Sequence, residues 1–449
     1  MDILTILPQF GNAFMTIIAF VVALSVIVAV HEYGHYIVGR WSGIKAEVFS
    51  LGFGPVLWSR MDRHGTRWQV AALPFGGFVK FLGDADAASG KDSAVMAATP
   101  PERLRQTMHG APLWARSATV VAGPVFNFIL SIVIFAAVMM AQGKTADPLT
   151  VGALRPLPVE GLSLQPGDRV LAIEGRALPA FGKDEAFAAF IDDLPRRALL
   201  AYEVSREGTA LRVLGPQLMP PIVNGVAPQS AAFASQIQPG DVITAINDTP
   251  IVAFSELRAF VEGSEGATFD LHLWRAGGET LVVPITPRRV DEPQGEGGFR
   301  TEWRVGIMGG LAFEPATASL GPIAAVSDAV GQTLEIIQGS LSGLYHMVTG
   351  AISSCNMSGP IGIAQVSGAM ASQGAQSFIW FIAVLSTAVG LLNLFPVPVL
   401  DGGHLVFYAY EAVAGRPPSD RALRVLMSIG LTLVLSLMVF ALFNDIFCP

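Results

Sequence analysis

Charge is what this sequence has least of for its length. Only 14% of its 449 residues are charged, against 51% hydrophobic, and the mean hydropathy is +0.51. Soluble domains carry about a quarter charged residues, so the composition excludes an ordinary soluble chain and points to a membrane protein. A net charge of −8 gives no footprint for nucleic acid, which is not expected as a partner. Cysteine is nearly absent as well. Cys355 and Cys448 cannot build a disulfide framework and leave the redox compartment open. The first apolar run has no basic lead-in and no small-residue cleavage site after it, which predicts a retained helix, not a signal peptide.

Where charge is missing for long enough, the gaps mark spans. A helix needs about 20 apolar residues to cross the hydrocarbon. Four such stretches are expected, near 13–39, 117–143, 377–400 and 425–444. The uncharged run between His346 and Asp401 is too long for one crossing and is broken at Gly359-Pro360. Residues 357–360 are therefore expected to form an interfacial or re-entrant approach to the third span. Arg40, Lys45, Arg60, Arg63 and Arg67 follow the first span, and Arg416, Arg421 and Arg424 follow the third. The positive-inside rule makes both loops cytoplasmic. Both termini and the segment 144–350 then lie outside, which in a bacterial inner membrane is the periplasm.

The chemistry is concentrated where the first apolar run ends, at His31-Glu32-Tyr33-Gly34-His35. On a helix, H-E-x-x-H places two imidazoles at i and i+4 on one face. Two ligands of a tetrahedral zinc ion require that spacing, and the carboxylate beside them is the base of a hydrolase. Ionisable groups at bilayer depth are costly and by default functional, so the motif points to metal-dependent hydrolysis inside the membrane. The bland alternative is a chance match, with His31 and His35 anchoring a helix end at the interface.

The loop after this span is not a plain connector. Residues 47–57 and 67–81 are rich in β-branched and aromatic side chains, punctuated by Gly52, Gly54, Gly76 and Gly77 and joined through Asp62-Arg63-His64-Gly65. They read as a β-hairpin region lying against the membrane. A free strand edge there could receive an unwound substrate, which makes these glycines candidate substrate-binding positions; a packed β-subdomain without substrate contact is the alternative. His64 reads as a turn residue and His109 as interfacial.

The outer segment contains a repeat: LQPGDRVLAIEG at 164–175 returns as IQPGDVITAIND at 237–248. A Pro-Gly-Asp turn leading into a strand, followed by a helix and a strand pair, resembles tandem PDZ domains. Peptide recognition on a sheet edge and steric exclusion of bulky ectodomains are both open readings. Residues 311–350 are expected as a linker and amphipathic helix, with Leu334, Ile337, Leu341 and Leu344 at helical spacing.

A third ligand is supplied by the stretch NLFPVPVLDGG at 393–403. It places Asp401 at the cytoplasmic end of the third span, at the depth of His31 and His35. Two imidazoles and one carboxylate with a fourth position open is the pattern of a catalytic zinc site. Pro396 and Pro398 free backbone carbonyls, as admission of an extended peptide would require. Asn393, about 12 Å away if the helix continues, is a candidate for hydrogen-bonding substrate, or for an interhelical bond. His404 is read as outer-shell or interfacial.

With these motifs in order, the chain resembles the site-2 protease family of the regulator of sigma-E protease type. The likeness runs from the first helix to Phe443-Asn444-Asp445 and includes HExxH, GFGP, PFGGFVK and NLFPVPVLDGGH. The resemblance implies a multi-pass α-helical membrane protein with four transmembrane helices, a membrane-associated β-hairpin region and two α+β PDZ-like domains. The divisions expected are 1–143, 144–218, 219–290, 291–352 as linker and amphipathic helix, and 353–449. It further implies one Zn²⁺ held by His31, His35 and Asp401, with Glu32 as base. Substrates would be single-pass membrane proteins of the anti-sigma-factor type, already shortened by an upstream periplasmic protease, or remnant signal peptides. Two alternatives remain: a PDZ-bearing membrane scaffold, and a zinc transporter. The second and fourth spans offer few of the polar residues a transporter would need.

Overall fold

The computed structural model describes residues 3–85, 90, 92–181, 185–293 and 298–448, and they form two compact units. The first unit comprises residues 1–138, 322–345 and 357–448. Among its described residues four helices are long and apolar enough to cross a membrane: Ala13–Trp41, Leu113–Gln142, Ala375–Asn393 and Asp420–Phe447. These are the first to fourth spans. Pro124 lies inside the second without ending it, because neighbouring helices and hydroxyls re-satisfy freed backbone groups at such positions. Spans one to three pack through Ala23, Ile27 and Ile382, with Ile134, Phe378 and Leu385 around them. Hydroxyls join the second and third: Ser386 donates to the Asn127 carbonyl at 2.9 Å and Ser131 to the Ala383 carbonyl at 2.7 Å. Small residues and buried hydroxyls are what hold helices together where lipid offers no hydrophobic drive.

The third span ends earlier than expected. It stops at Asn393, and a separate helix begins at Asp401 and runs to Ala414. Pro396 and Pro398 explain the break, since each removes a donor and restricts the residue before it. Asp401 is thus the first residue of a new helix, not the end of the third span, and its carboxylate complements the positive end of the helix dipole. Residues 357–360 also resolve differently in detail. They lead into the helix Pro360–Ser372, 13 residues long and so too short to cross. Asp445 of the fourth span caps it, accepting from the backbone N–H groups of Gly359, Ile361 and Gly362 at 2.8, 3.0 and 3.0 Å.

The hairpin is present as Ala46–Met61 paired antiparallel with Arg67–Phe81. Its base is buried with Tyr36 of the first span and Ala115 and Val120 of the second, around Phe49, Val79 and Phe81. The later half of its first strand folds back over Arg67–Val70 and exposes Val56, Leu57, Trp58 and Met61, a run of uncovered apolar side chains. At Gly52 φ is +86° and a Cβ would stand 2.7 Å from the Leu73 carbonyl oxygen, so the strand can only buckle there with glycine. Asp62 ties the hairpin turn to the metal helix. It accepts from Tyr36 Oη (2.9 Å), Trp68 Nε1 (3.0 Å) and the amides of His64 and Thr66 (2.8 and 2.9 Å). Burial pushes its carboxyl up, but the Thr66 amide, the Trp68 indole, the His64 amide and the Tyr36 hydroxyl together hold it down at about 2. A carboxyl depressed from about 3.9 stabilises the fold above that pH and ceases to as pH falls through 2. Trp68 fluorescence should therefore stay native to about pH 4 and change between about pH 4 and 2. Asp62→Ala should cost the hairpin about 1.5–3 kcal/mol and bring that change to neutral pH. An unaltered Trp68 signal in the variant would remove Asp62 from this role.

The second unit, residues 139–321 and 346–356, contains the repeat as two four-stranded sheets of the same order. The first runs Arg176–Ala177, Arg169–Ile173, Leu199–Arg206, Thr209–Pro216; the second Thr249–Pro250, Val242–Ile246, Phe269–Arg275, Glu279–Ile285. Each has a helix, Glu185–Asp192 or Phe254–Gly263, and its own core, around Tyr202 and Leu200 or around Leu271 and Ile243. The repeated aspartates do equivalent work. Asp168 accepts from Arg206 Nε at 2.7 Å and Asp241 from Arg275 Nε at 2.7 Å, locking each Pro-Gly-Asp turn to the end of a strand.

The segment 291–352 is not simply a linker and helix. After the strand pair Arg288–Pro293 and Phe299–Arg304, Ile307–Met308 pairs with Gly225–Val226 and Val305 joins the second core. Phe313–Pro315 then pairs with Val151–Leu154, and Leu311, Ala312 and Phe313 enter the first core. The helix expected there follows as Pro322–Val348, with Leu334 and Leu341 exposed.

Candidate metal centre

The helical stretch through residue 41 turns His31 and His35 to one face, as an i, i+4 pair must. Their Nε2 atoms are 3.1 Å apart, and the rings meet edge to face. Asp401 Oδ2 completes a triangle, 3.2 Å from His31 Nε2 and 3.5 Å from His35 Nε2. A tetrahedral zinc ion with bonds of about 2.0–2.2 Å sets its ligands about 3.4 Å apart, so the edges of this triangle match. Asp401 Oδ2 is buried and accepts no hydrogen bond among the described residues, and the three side chains form the metal-ligand group found among them. The donor set, one carboxylate and two imidazoles, suits zinc.

The tautomer of His35 is set by the second span. Its Nδ1 lies 2.9 Å from the Thr119 carbonyl oxygen. A carbonyl can only accept, so Nδ1 carries the proton and the Nε2 lone pair faces the site. Between the imidazoles the same span presents Gly123. A Cβ there would stand 2.3 Å from His35 Nε2 and 2.8 Å from His31 Cε1. One turn further, Asn127 Nδ2 is 3.2 Å from His31 Nδ1.

Asp401 owes its position to the two glycines after it. A Cβ on Gly402 would stand 2.3 Å from the carbonyl oxygens of Leu394 and Phe395, and one on Gly403 2.3 Å from that of Val397. Without side chains they let the proline-containing segment fold onto the first turn of the helix. Glu32 is not part of the triangle. It lies in the field of His35, His31 and Asp401, beside Val79 of the hairpin. Gly77 of the same strand packs against its stem, with the Glu32 Cγ 3.2 Å from where a Cβ would be.

The structure assembles His31, His35 and Asp401, with Glu32 beside them. The other sequence candidates have local explanations. Asn393 donates to the Val389 carbonyl of its own helix at 3.0 Å, not to a neighbouring helix. Gly54 and Gly76 have φ of +83° and +136° and serve the hairpin's shape, and Pro396 breaks the chain before Asp401. His404 meets the Phe407 ring edge to face and is not in the ligand group. His64 uses its backbone amide in the Asp62 turn, and His109 lies 3.3 Å from the buried Asp84. Sequence reasoning missed Thr119, Gly123 and Asn127. A lone amide in a long uncharged span was the available signal.

The model of peptidase family M50 matches residues 19–437. Over 446 residues the chain is 36% identical to a protein of Agrobacterium fabrum named as a candidate zinc metalloprotease, covering 98% of each. A Rhizobium meliloti protein with the same description is 37% identical over 97% of each chain. The regulator of sigma-E protease RseP of Salmonella typhimurium is 32% identical, over 95% of this chain and 97% of its own.

Proposed function

Since the chain belongs to peptidase family M50, and is a site-2 type zinc metalloprotease, we propose that it cleaves single-pass membrane proteins within their transmembrane helices. The observation that carries this is the triangle of His31, His35 and Asp401 at the end of an apolar span. One zinc ion held there would polarise the scissile carbonyl and make water a nucleophile at neutral pH. Glu32 takes the proton of the attacking water and returns it to the leaving amine. The hairpin strand that touches Glu32 is the edge against which an unwound substrate lies, with Gly52, Gly54, Gly76 and Gly77 giving that edge the shape that receives it. Asn393 and Pro396 flank the same path, where the third span gives way to the segment before Asp401.

The proposed setting is the bacterial inner membrane, with the metal centre toward the cytoplasm and the two repeat units, read as PDZ-like modules, in the periplasm. The loop charges support this orientation. Substrates of the anti-sigma-factor type, first shortened by a periplasmic protease, fit the relation to RseP, and the consequence would be envelope stress signalling. Remnant signal peptides are a second class.

The test is cleavage of a single-pass helical substrate by the purified protein, with zinc content measured in parallel. Wild type should hold one zinc per chain and cut within the apolar helix. Asp401→Ala should lose both zinc and cleavage. Zinc retained at the wild-type level in Asp401→Ala would take Asp401 out of the ligand set, and wild type with zinc but no cleavage would return the scaffold or transporter reading.

A further inference from the structure

We propose that Asn127 is a positioning residue for the metal centre: in the zinc-loaded protein its side-chain oxygen accepts a hydrogen bond from His31 Nδ1, fixing the tautomer that frees Nε2 for the metal. The inference rests on the zinc reading of the His31, His35 and Asp401 triangle.

Asn127 is fully buried in the second span, and its Nδ2 lies 3.2 Å from His31 Nδ1. As placed, the amide is a donor, and it would require Nδ1 to be the unprotonated nitrogen. Neutral His31 would then carry its proton on Nε2. Yet Nε2 is the atom 3.1 Å from His35 Nε2 and 3.2 Å from Asp401 Oδ2. A ring nitrogen that carries a proton has no lone pair for a metal. Binding zinc through Nε2 puts the proton on Nδ1, and Nδ1 then faces a donor.

Rotating the Asn127 amide by half a turn removes the conflict. Nitrogen and oxygen of an amide are nearly the same size and exchange places without new space. The rotation breaks no bond of Oδ1, which is buried and has no partner among the described residues. It converts the contact into Nδ1–H donating to Oδ1, the pattern by which outer partners orient metal-binding histidines.

The partner of the other histidine supports the assignment. His35 Nδ1 already donates to a carbonyl of the same helix, that of Thr119. Thr119, Gly123 and Asn127 follow one another at intervals of four residues, so they form one stripe of the second span. The stripe reads acceptor for His35, empty space for both rings, and acceptor for His31. The second span is then the template that holds both imidazoles by their far nitrogens.

The experiment compares Zn²⁺ affinity, by competition with a chelator, of the full-length protein in detergent and of Asn127→Leu and Asn127→Asp. Leu keeps the volume and offers no acceptor; Asp keeps the shape and offers only acceptors. Asn127→Leu should bind zinc about 10–100-fold more weakly, while Asn127→Asp stays within a few-fold of wild type. With Co²⁺ as the probe, the visible spectrum of Asn127→Asp should remain that of wild type and that of Asn127→Leu should shift. A role in packing alone would not be rescued by the charged isostere, so an Asn127→Asp affinity as low as that of Asn127→Leu overturns the proposal. So does wild-type affinity in Asn127→Leu. Either result leaves the protease reading standing if wild type holds one zinc; wild type that binds no zinc overturns both.

Discussion

Glu32→Gln is expected to keep zinc at the wild-type level and to slow peptide-bond cleavage by about 10²–10⁴-fold, the range that a positioned acid–base group supplies. The separation of metal from activity follows from the geometry. The ligand triangle is made by His31, His35 and Asp401 with edges of 3.1–3.5 Å, and Glu32 contributes no atom to it. Gln has the same stem, so the contact with Gly77 survives. What goes is the ability to accept a proton from water and to give it back to the leaving nitrogen. Gel analysis of a single-pass substrate, with metal analysis of the same preparation, reads both quantities. A Gln variant cutting within a few-fold of wild type would show that the base is another group, and one that lost its zinc would show that Glu32 holds the site together.

Gly123→Ala is expected to reverse that pattern, removing the metal without unfolding the helix. The added methyl would lie 2.3 Å from His35 Nε2 and 2.8 Å from His31 Cε1, inside van der Waals contact of both rings. His35 cannot swing aside without giving up the hydrogen bond from Nδ1 to the Thr119 carbonyl. Alanine is meanwhile the better helix former, by about 1 kcal/mol. The variant should therefore lose zinc affinity by at least the 10–100-fold typical of outer-shell changes, lose cleavage with it, and retain the spans. Chelator competition and a helical circular dichroism melt distinguish this from misfolding. Full zinc affinity in Gly123→Ala would mean that the rings relax more freely than this packing allows, and the account of the second span as a template would fall with it.

The HExxH pair could be read without a structure because its geometry is local: four residues on a helix bring two side chains to one face whatever surrounds them. The repeat was equally open to reading, since Pro-Gly-Asp followed by an alternating strand states its own conformation, and both copies form the same four-stranded order. The short closing strands were not. Ile307–Met308 and Phe313–Pro315 are too brief to show a period, and their pairing with Gly225–Val226 and Val151–Leu154 is long-range, so residues that belong to two cores look like a linker. The third span was drawn too long for a related reason. Apolar residues continue to Leu400, but the prolines end the helix at Asn393, and composition alone does not distinguish an apolar helix from an apolar turn.

By itself the sequence determined four stretches long and apolar enough to cross a membrane, and that two histidines and a glutamate share the end of the first, because hydropathy and helical spacing depend only on runs and intervals. Tertiary structure alone decided that Asp401 opens a new helix and points its Oδ2 at both imidazoles, and that Thr119, Gly123 and Asn127 stand behind them. Those facts depend on how one helix faces another, and the face a helix turns to its neighbour is chosen by packing, which no interval along the chain records.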